Sequence, residues 1–209
     1  MLLNSTRYWQ VALTLSVVFS SAVNIPQSQA SVEKSGNESG KSAEENLVVT
    51  TLPVSPEAVN LVKDFEGFRP YAYIDSSGLP VIGYGQTRVN GRTVTLGQYI
   101  TASEADAALV QELYQIQQLV LAYVKVDLNP YQLSALTSLV YNAGSVIVRD
   151  STLIRKLNAG DYIGAAQEFT RWNKANQGGQ LVVYPGLTKR RLAEQKLFLA
   201  PYKQIASSN

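Results

Sequence analysis

Two carboxylic acids nine positions apart stand out for the chemistry they could do: Glu66 in Phe65-Glu66-Gly67-Phe68, and Asp75 in Asp75-Ser76-Ser77-Gly78. Glu66 falls where a helix should end, so the negative helix end and its apolar neighbours disfavour the ionised form and would let it hold a proton near neutral pH. Asp75 falls in a polar turn, where water and turn amides would keep it ionised. One proton-bearing and one ionised carboxyl suit glycosidic cleavage, in which an acid protonates the leaving oxygen and a carboxylate acts on the other face of the sugar. Both residues also have ordinary uses, as a helix-end surface residue and a turn former, and the spacing alone leaves that reading open.

Composition narrows the chemistry further. The 209 residues include no Cys and no His, which excludes a disulfide framework, a thiolate nucleophile, a Cys/His zinc site and a Ser-His-Asp triad. Proton transfer without a cofactor therefore falls to carboxylates, Lys or Tyr, with carboxylates the commonest choice for hydrolysis. Eighteen Lys+Arg stand against sixteen Asp+Glu, a net charge of +2. Apart from Lys189-Arg190-Arg191 there is no basic run, so a nucleic-acid partner is not expected. An apolar fraction of 45% is enough for one domain with appendages.

The elements that must position these acids begin after a long N-terminal stretch. Residues 1–30 read as a signal peptide: Arg7 supplies a basic start, Val11 to Val23 an apolar run, and Ser28-Gln29-Ala30 a small-x-small cleavage site. The run is short of the roughly 20 residues of a membrane span and is interrupted by Thr14, Ser16, Ser20 and Ser21. A weak signal-anchor with transient membrane contact is the alternative to simple cleavage. Residues 31–52 are too polar to fold and read as a linker. The folded body is expected over residues 53–202, with a tail at 203–209.

Within that body, Ser55-Pro56-Glu57 predicts a helix start, with Val59, Val62 and Phe65 on one face and an end near Glu66-Gly67. Tyr71 to Ile74 and Leu79 to Tyr84 predict a hairpin around Asp75, and Thr93 to Leu96 a third strand after Asn90-Gly91. Thr101-Ala102-Ser103-Glu104 opens a long helix running to about Val124. Asn129-Pro130 opens another that stops at Asn142-Ala143-Gly144. Two short helices follow, from Asp150 or Ser151 and from Asp161, and the last runs from about Leu187 to Leu199 beyond the break at Gly178-Gly179. The fold class is α+β, with a small lobe carrying a β-hairpin or three-stranded sheet, a larger helical lobe, and a long helix joining them. A ligand would sit in the cleft between lobes.

The ordered series Phe65-Glu66-Gly67-Phe68-Arg69, Ala72-Tyr73-Ile74-Asp75, Ile82-Gly83-Tyr84-Gly85, Ile100-Thr101, Asn142-Ala143-Gly144, Arg171-Trp172 and Gly186-Leu187 through Arg190-Arg191 to Glu194 resembles the phage-type lysozymes. These are the bacteriophage endolysins and bacterial muramidases of glycoside hydrolase family 24. The resemblance runs from about Ser55 to Leu199. It implies a two-lobed lysozyme fold, without metal or organic cofactor, that hydrolyses the β-1,4 bond between N-acetylmuramic acid and N-acetylglucosamine in peptidoglycan. It also implies that Glu66 is the general acid and Asp75 the second catalytic carboxylate. Its partners would be peptidoglycan glycan strands. The expected setting is export to periplasm, cell envelope or extracellular space, as a monomer.

Two positions depart from the family pattern. The Thr that usually precedes Ile-Gly-x-Gly and helps place the attacking water is Val81, which cannot hydrogen-bond a water. Another polar group then holds the water, or Asp75 acts differently, or turnover is weak. An inverting reaction, with carboxyls about 6.5 to 9.5 Å apart, is the expected mechanism. A catalytically impaired wall-binding module and a lytic transglycosylase using Glu66 alone are the alternatives. The second departure is Gln86, where many relatives have His. Tyr84, Gln86, Asn142 and Arg190 are the expected substrate-side residues. Gln86 and Asn142 also have structural roles open to them, and packing is the default for Tyr73 and Tyr84. Arg190, or with nearly equal claim Arg191, is expected beside Glu66. Trp172 is expected in the core.

Overall fold

In the computed structural model, residues 52–200 are described. The signal at 1–30, nearly all of the linker at 31–52 and the tail at 203–209 lie outside the described residues. Helix α1 spans Pro56–Glu66. The Ser55 hydroxyl accepts from the Ala58 amide at its start, and Ser55 Oγ meets Ser134 Oγ at 2.5 Å, joining that start to a helix distant in sequence. Gly67, at φ 69°, donates its amide to the Lys63 carbonyl and turns the chain out of the helix, a left-handed conformation that a side chain would strain. Glu66 is thereby the last helical residue.

Strands β1 (Arg69–Ile74) and β2 (Pro80–Gly83) form the hairpin, with Tyr73 opposite Val81 and Ile74 opposite Pro80. The other edge of β1 is occupied by residues 98–100, through Ala72 N–H to Gln98 O at 3.0 Å and Ile100 N–H to Pro70 O at 2.8 Å. The third strand expected at Thr93 to Leu96 does not form as such. Asn90 (φ 50°) and Gly91 (φ 76°) make a tight turn that pairs β3 (Arg88–Val89) with β4 (Arg92–Thr93) as a separate ribbon. Two successive left-handed residues favour immediate hairpin closure over pairing with a distant strand.

The capping box at Thr101 and Glu104 starts α2, Ala102–Tyr123, and a second box at Asn129 and Gln132 starts α3, Pro130–Ala143. Then come α4 (Val146–Arg149), α5 (Thr152–Asn158) and α6 (Tyr162–Glu168), which runs into a 3-10 turn at Phe169–Trp172. Strands β5 (Lys174–Gln177) and β6 (Gln180–Val183) precede α7, Pro185–Phe198. Sequence reasoning missed α4, a single turn too short for a periodicity. It also read Gly178-Gly179 as a break when these glycines close the β5–β6 hairpin at positive φ.

Two hydrophobic cores organise these elements. One gathers Val62, Ile82, Tyr84, Val94, Ile100 and the first half of α2 through Ala105, Leu109 and Leu113. The other gathers Leu133, Leu136, Leu139, Ile147, Leu153, Phe169 and Phe198, with Val120 from the far half of α2 and Trp172 packed at its edge. Helix α2 is shared by both, and this is the α+β arrangement of a small hairpin lobe and a larger helical lobe.

Candidate active site

Glu66 reaches the site because α1 ends on it, and Arg190 of α7 meets it from the helical lobe. Arg190 Nη1 donates to Glu66 Oε1 at 2.5 Å; the arginine side chain is 3% exposed and the glutamate 13%. Of the two arginines expected here, Arg190 is the one that bonds Glu66. Its guanidinium also lies 5.5 Å from the centroid of the Phe65 ring. On its other side Nε donates to Glu194 Oε1 at 3.2 Å and Nη2 to the Ser138 carbonyl at 3.4 Å. Burial works against the Arg190 charge, but Glu66 and Glu194 outweigh it and lift its pKa above the ordinary arginine value.

Arg191 points the other way. Its Nη2 donates to Asn142 Oδ1 at 2.9 Å and to Glu194 Oε1 at 3.0 Å, and its Nε lies 2.8 Å from Glu194 Oε2. Ser138 Oγ donates to Glu194 Oε1 at 2.7 Å. Burial pulls the Arg191 pKa down to about 10, with Glu194 opposing. Asn142, expected at the cleft, is buried as part of this cluster. The cluster joins α3 to α7 and so fixes the helix face from which Arg190 reaches Glu66. Sequence reasoning saw Glu194 only as part of a motif, although its spacing of three and four residues from the arginines places all three on one helix face.

Asp75 is oriented by its own turn. Its Oδ1 accepts from the Ser77 amide at 2.9 Å, Ser77 Oγ at 2.7 Å and the Leu79 amide at 2.9 Å, while its backbone N–H bonds Leu79 O and its carbonyl accepts from Gly78. Three donors on one oxygen hold the side chain in a single orientation. Val81, on β2 opposite Tyr73, is 1% exposed and packed.

Tyr84 and Gln86 are both buried, with their polar atoms engaged inside the protein. The Tyr84 hydroxyl donates to Asp106 Oδ1 at 2.8 Å, and Tyr141 Oη donates to the Tyr84 carbonyl at 3.0 Å. Gln86 Oε1 accepts from the Tyr84 amide at 2.7 Å and Nε2 donates to Ala105 O at 3.2 Å. A Cβ on Gly83, itself at φ 66°, would lie 2.4 Å from Gln86 Oε1, which is why glycine suits this position. Lys63 bonds Asp106 Oδ2 at 2.8 Å, tying α1 to α2 three residues before Glu66. That bond holds the Asp106 pKa below the ordinary carboxylate value.

A further acid belongs to this neighbourhood. Glu112, half-buried on α2, has its pKa pushed up to about 7 by burial and by the charge of Glu66. Tyr141 is raised well above its usual value, chiefly by burial and then by Glu112 and Glu66. The sequence signal of Glu112 was faint: a carboxyl beside two leucines, Leu109 and Leu113, on a helix whose other charges are exposed or paired.

A family model described as phage lysozyme matches residues 63–194. The endolysin of Acyrthosiphon pisum secondary endosymbiont phage 1 is 40% identical over 147 residues, 70% of this chain and 98% of that protein. The SAR-endolysin of bacteriophage PS119 is 37% identical over 134 residues, 64% of this chain and 76% of its own length. Among solved structures, the endolysin from Escherichia coli O157:H7 phage FAHEc1 superposes with a TM-score of 0.67 at 35% identity, covering 72% of this chain and 95% of that one.

Proposed function

The chain belongs to the phage lysozyme family, as a lysozyme-type glycoside hydrolase that degrades peptidoglycan, and from that premise we propose that Glu66 and Asp75 cut the β-1,4 bond between N-acetylmuramic acid and N-acetylglucosamine. Glu66 protonates the leaving glycosidic oxygen, and Asp75 through Oδ2 directs water onto the anomeric carbon with inversion. The observation that carries this reading is the unequal holding of the two acids. Glu66 is anchored across the lobes by Arg190, whereas Asp75 has one oxygen fully bonded in its turn and the other available. Val81 offers no hydrogen bond to water, so Asp75 carries that task without the help of a hydroxyl at that position. Arg190 acts by orienting Glu66. Tyr84, Gln86 and Asn142 serve the site by bracing its walls, since their polar groups are engaged within the protein. Residues 53–202 form the catalytic domain, acting as a monomer.

Export to the cell envelope fits the basic, apolar and small-residue order of residues 1–30. The SAR-endolysin among its relatives supports transient membrane contact by that segment before release. The test is digestion of purified peptidoglycan followed by mass analysis of the products. Hydrolysis gives fragments heavier by one water than the anhydro products of a transglycosylase; anhydro products or no products would overturn the reading. Glu66→Gln should lower the rate by a factor of about 100 or more, because it removes the proton donor.

A further inference from the structure

Among the described residues, the two most exposed aromatic side chains stand beside each other: Tyr71, 65% exposed, and Tyr99, 60%. Their ring centroids lie 5.2 Å apart, with the ring planes tilted by 58°. The backbone beneath them is fixed. Tyr71 of β1 faces Tyr99 across an antiparallel bridge, and bonds on either side of it, Ile100 N–H to Pro70 O and Ala72 N–H to Gln98 O, lock the register. That edge of β1 is already paired, so what the pair offers to a ligand is its side chains. Ala72 packs against the hairpin-lobe core, and strand alternation turns Tyr71 away from it. Two rings left in water forgo the burial that aromatic side chains ordinarily gain, and aromatic surface held this rigidly costs little entropy to bind with. The chain around Tyr99 is basic: residues 76–103 include Arg88 and Arg92, both exposed, and no acid.

We propose that Tyr71 and Tyr99 form a sugar-stacking platform, beyond the catalytic carboxyls, that holds a glycan strand of intact peptidoglycan. This rests on peptidoglycan as the substrate and adds a second foothold on it. A pyranose ring presents a face of C–H bonds whose partial positive charge suits the negative face of an aromatic ring. A glycan strand is the occupant that fits, because the substrate is a polymer that continues past the cut. Tyr71 precedes Asp75 by four residues, about 13 Å along an extended chain, so one strand can reach both. The stem peptides of the wall carry carboxylates, which Arg88 and Arg92 attract as screened surface charges. Once the cleft holds a strand, stacking on the platform is an intramolecular event. The platform therefore raises affinity for long strands and leaves short fragments unaffected.

The test is cosedimentation of the full chain with purified insoluble sacculi, in a Glu66→Gln background that leaves the wall intact. It is set against calorimetric binding of a single disaccharide-peptide fragment, too short to span from the cleft to the platform. Adding Tyr71→Ala and Tyr99→Ala together should weaken sacculus binding about tenfold and leave fragment binding within about twofold, which also reports an intact fold. The loss should persist in about 0.5 M salt, where charge attraction is screened. Tyr71→Phe with Tyr99→Phe keeps both rings and should bind sacculi within about twofold of the parent. Unchanged sacculus binding in the alanine pair, an equal loss in the phenylalanine pair, or an equal loss on the short fragment overturns the proposal. So does a concentration-dependent dimer that the alanine pair abolishes, because a second copy is then the occupant. Digestion of sacculi by the wild-type chain is read separately. Tyrosine-dependent binding without hydrolysis sinks the catalytic reading alone, and hydrolysis with tyrosine-independent binding sinks the platform alone.

Discussion

Glu112→Gln should stabilise the protein, and only above acid pH. The Glu112 carboxyl moves from an ordinary 4.5 to about 7 in the folded chain, because burial and Glu66 both disfavour its charge. At about 1.4 kcal/mol per pH unit this corresponds to about 3 kcal/mol, and solvent reaching the partly exposed side chain screens it to about 1–2 kcal/mol. Between pH 4.5 and 7 the folded protein binds more protons at this site than the unfolded chain, so wild-type stability falls as pH rises through that window. Below it the penalty is absent; above it the penalty is complete. Urea unfolding of wild type and Glu112→Gln at half-unit steps from pH 4 to 8 measures the difference directly, since every other group titrates in both. The two should coincide near pH 4 and diverge to about 1–2 kcal/mol at pH 8, a Tm gain of about 2–8 °C for a domain of this size. In a Glu66→Gln background the divergence should shrink, because part of the repulsion has gone. A stability difference that is constant with pH would refute the reasoning.

Two other perturbations probe the scaffold. Arg191→Met leaves Glu194 and Asn142 buried with fewer partners and should cost about 3–5 kcal/mol in urea unfolding; a loss below 1 kcal/mol would mean the cluster is not the brace inferred. Gly83→Ala adds a Cβ against Gln86 Oε1 in a left-handed backbone and should destabilise by about 1–3 kcal/mol, checked by thermal unfolding.

Much of the scaffold was legible because it is local. Ser55-Pro56 and Gly67 bound α1 and put Glu66 at its end, and Asp75 folds its own turn within four residues. The two capping boxes likewise need only residues three apart. The failures also have local causes. The tight Asn90-Gly91 turn diverted the expected third strand into its own ribbon, and a four-residue helix leaves no period to detect.

The acid pair, its absence of competing Cys and His chemistry, and the helix ends and turns that present it were determined by the sequence alone, because they depend on residue type and on neighbours a few positions away. The choice of Arg190 over Arg191 as the partner of Glu66 was decided by the tertiary structure, since that bond joins residues 124 positions apart and a helix turn of about 100° separates the two arginines' directions. The same holds for the inward turn of Tyr84 and Gln86, and for the raised pKa of Glu112, which comes from burial and from the charge of Glu66, 46 positions away in sequence.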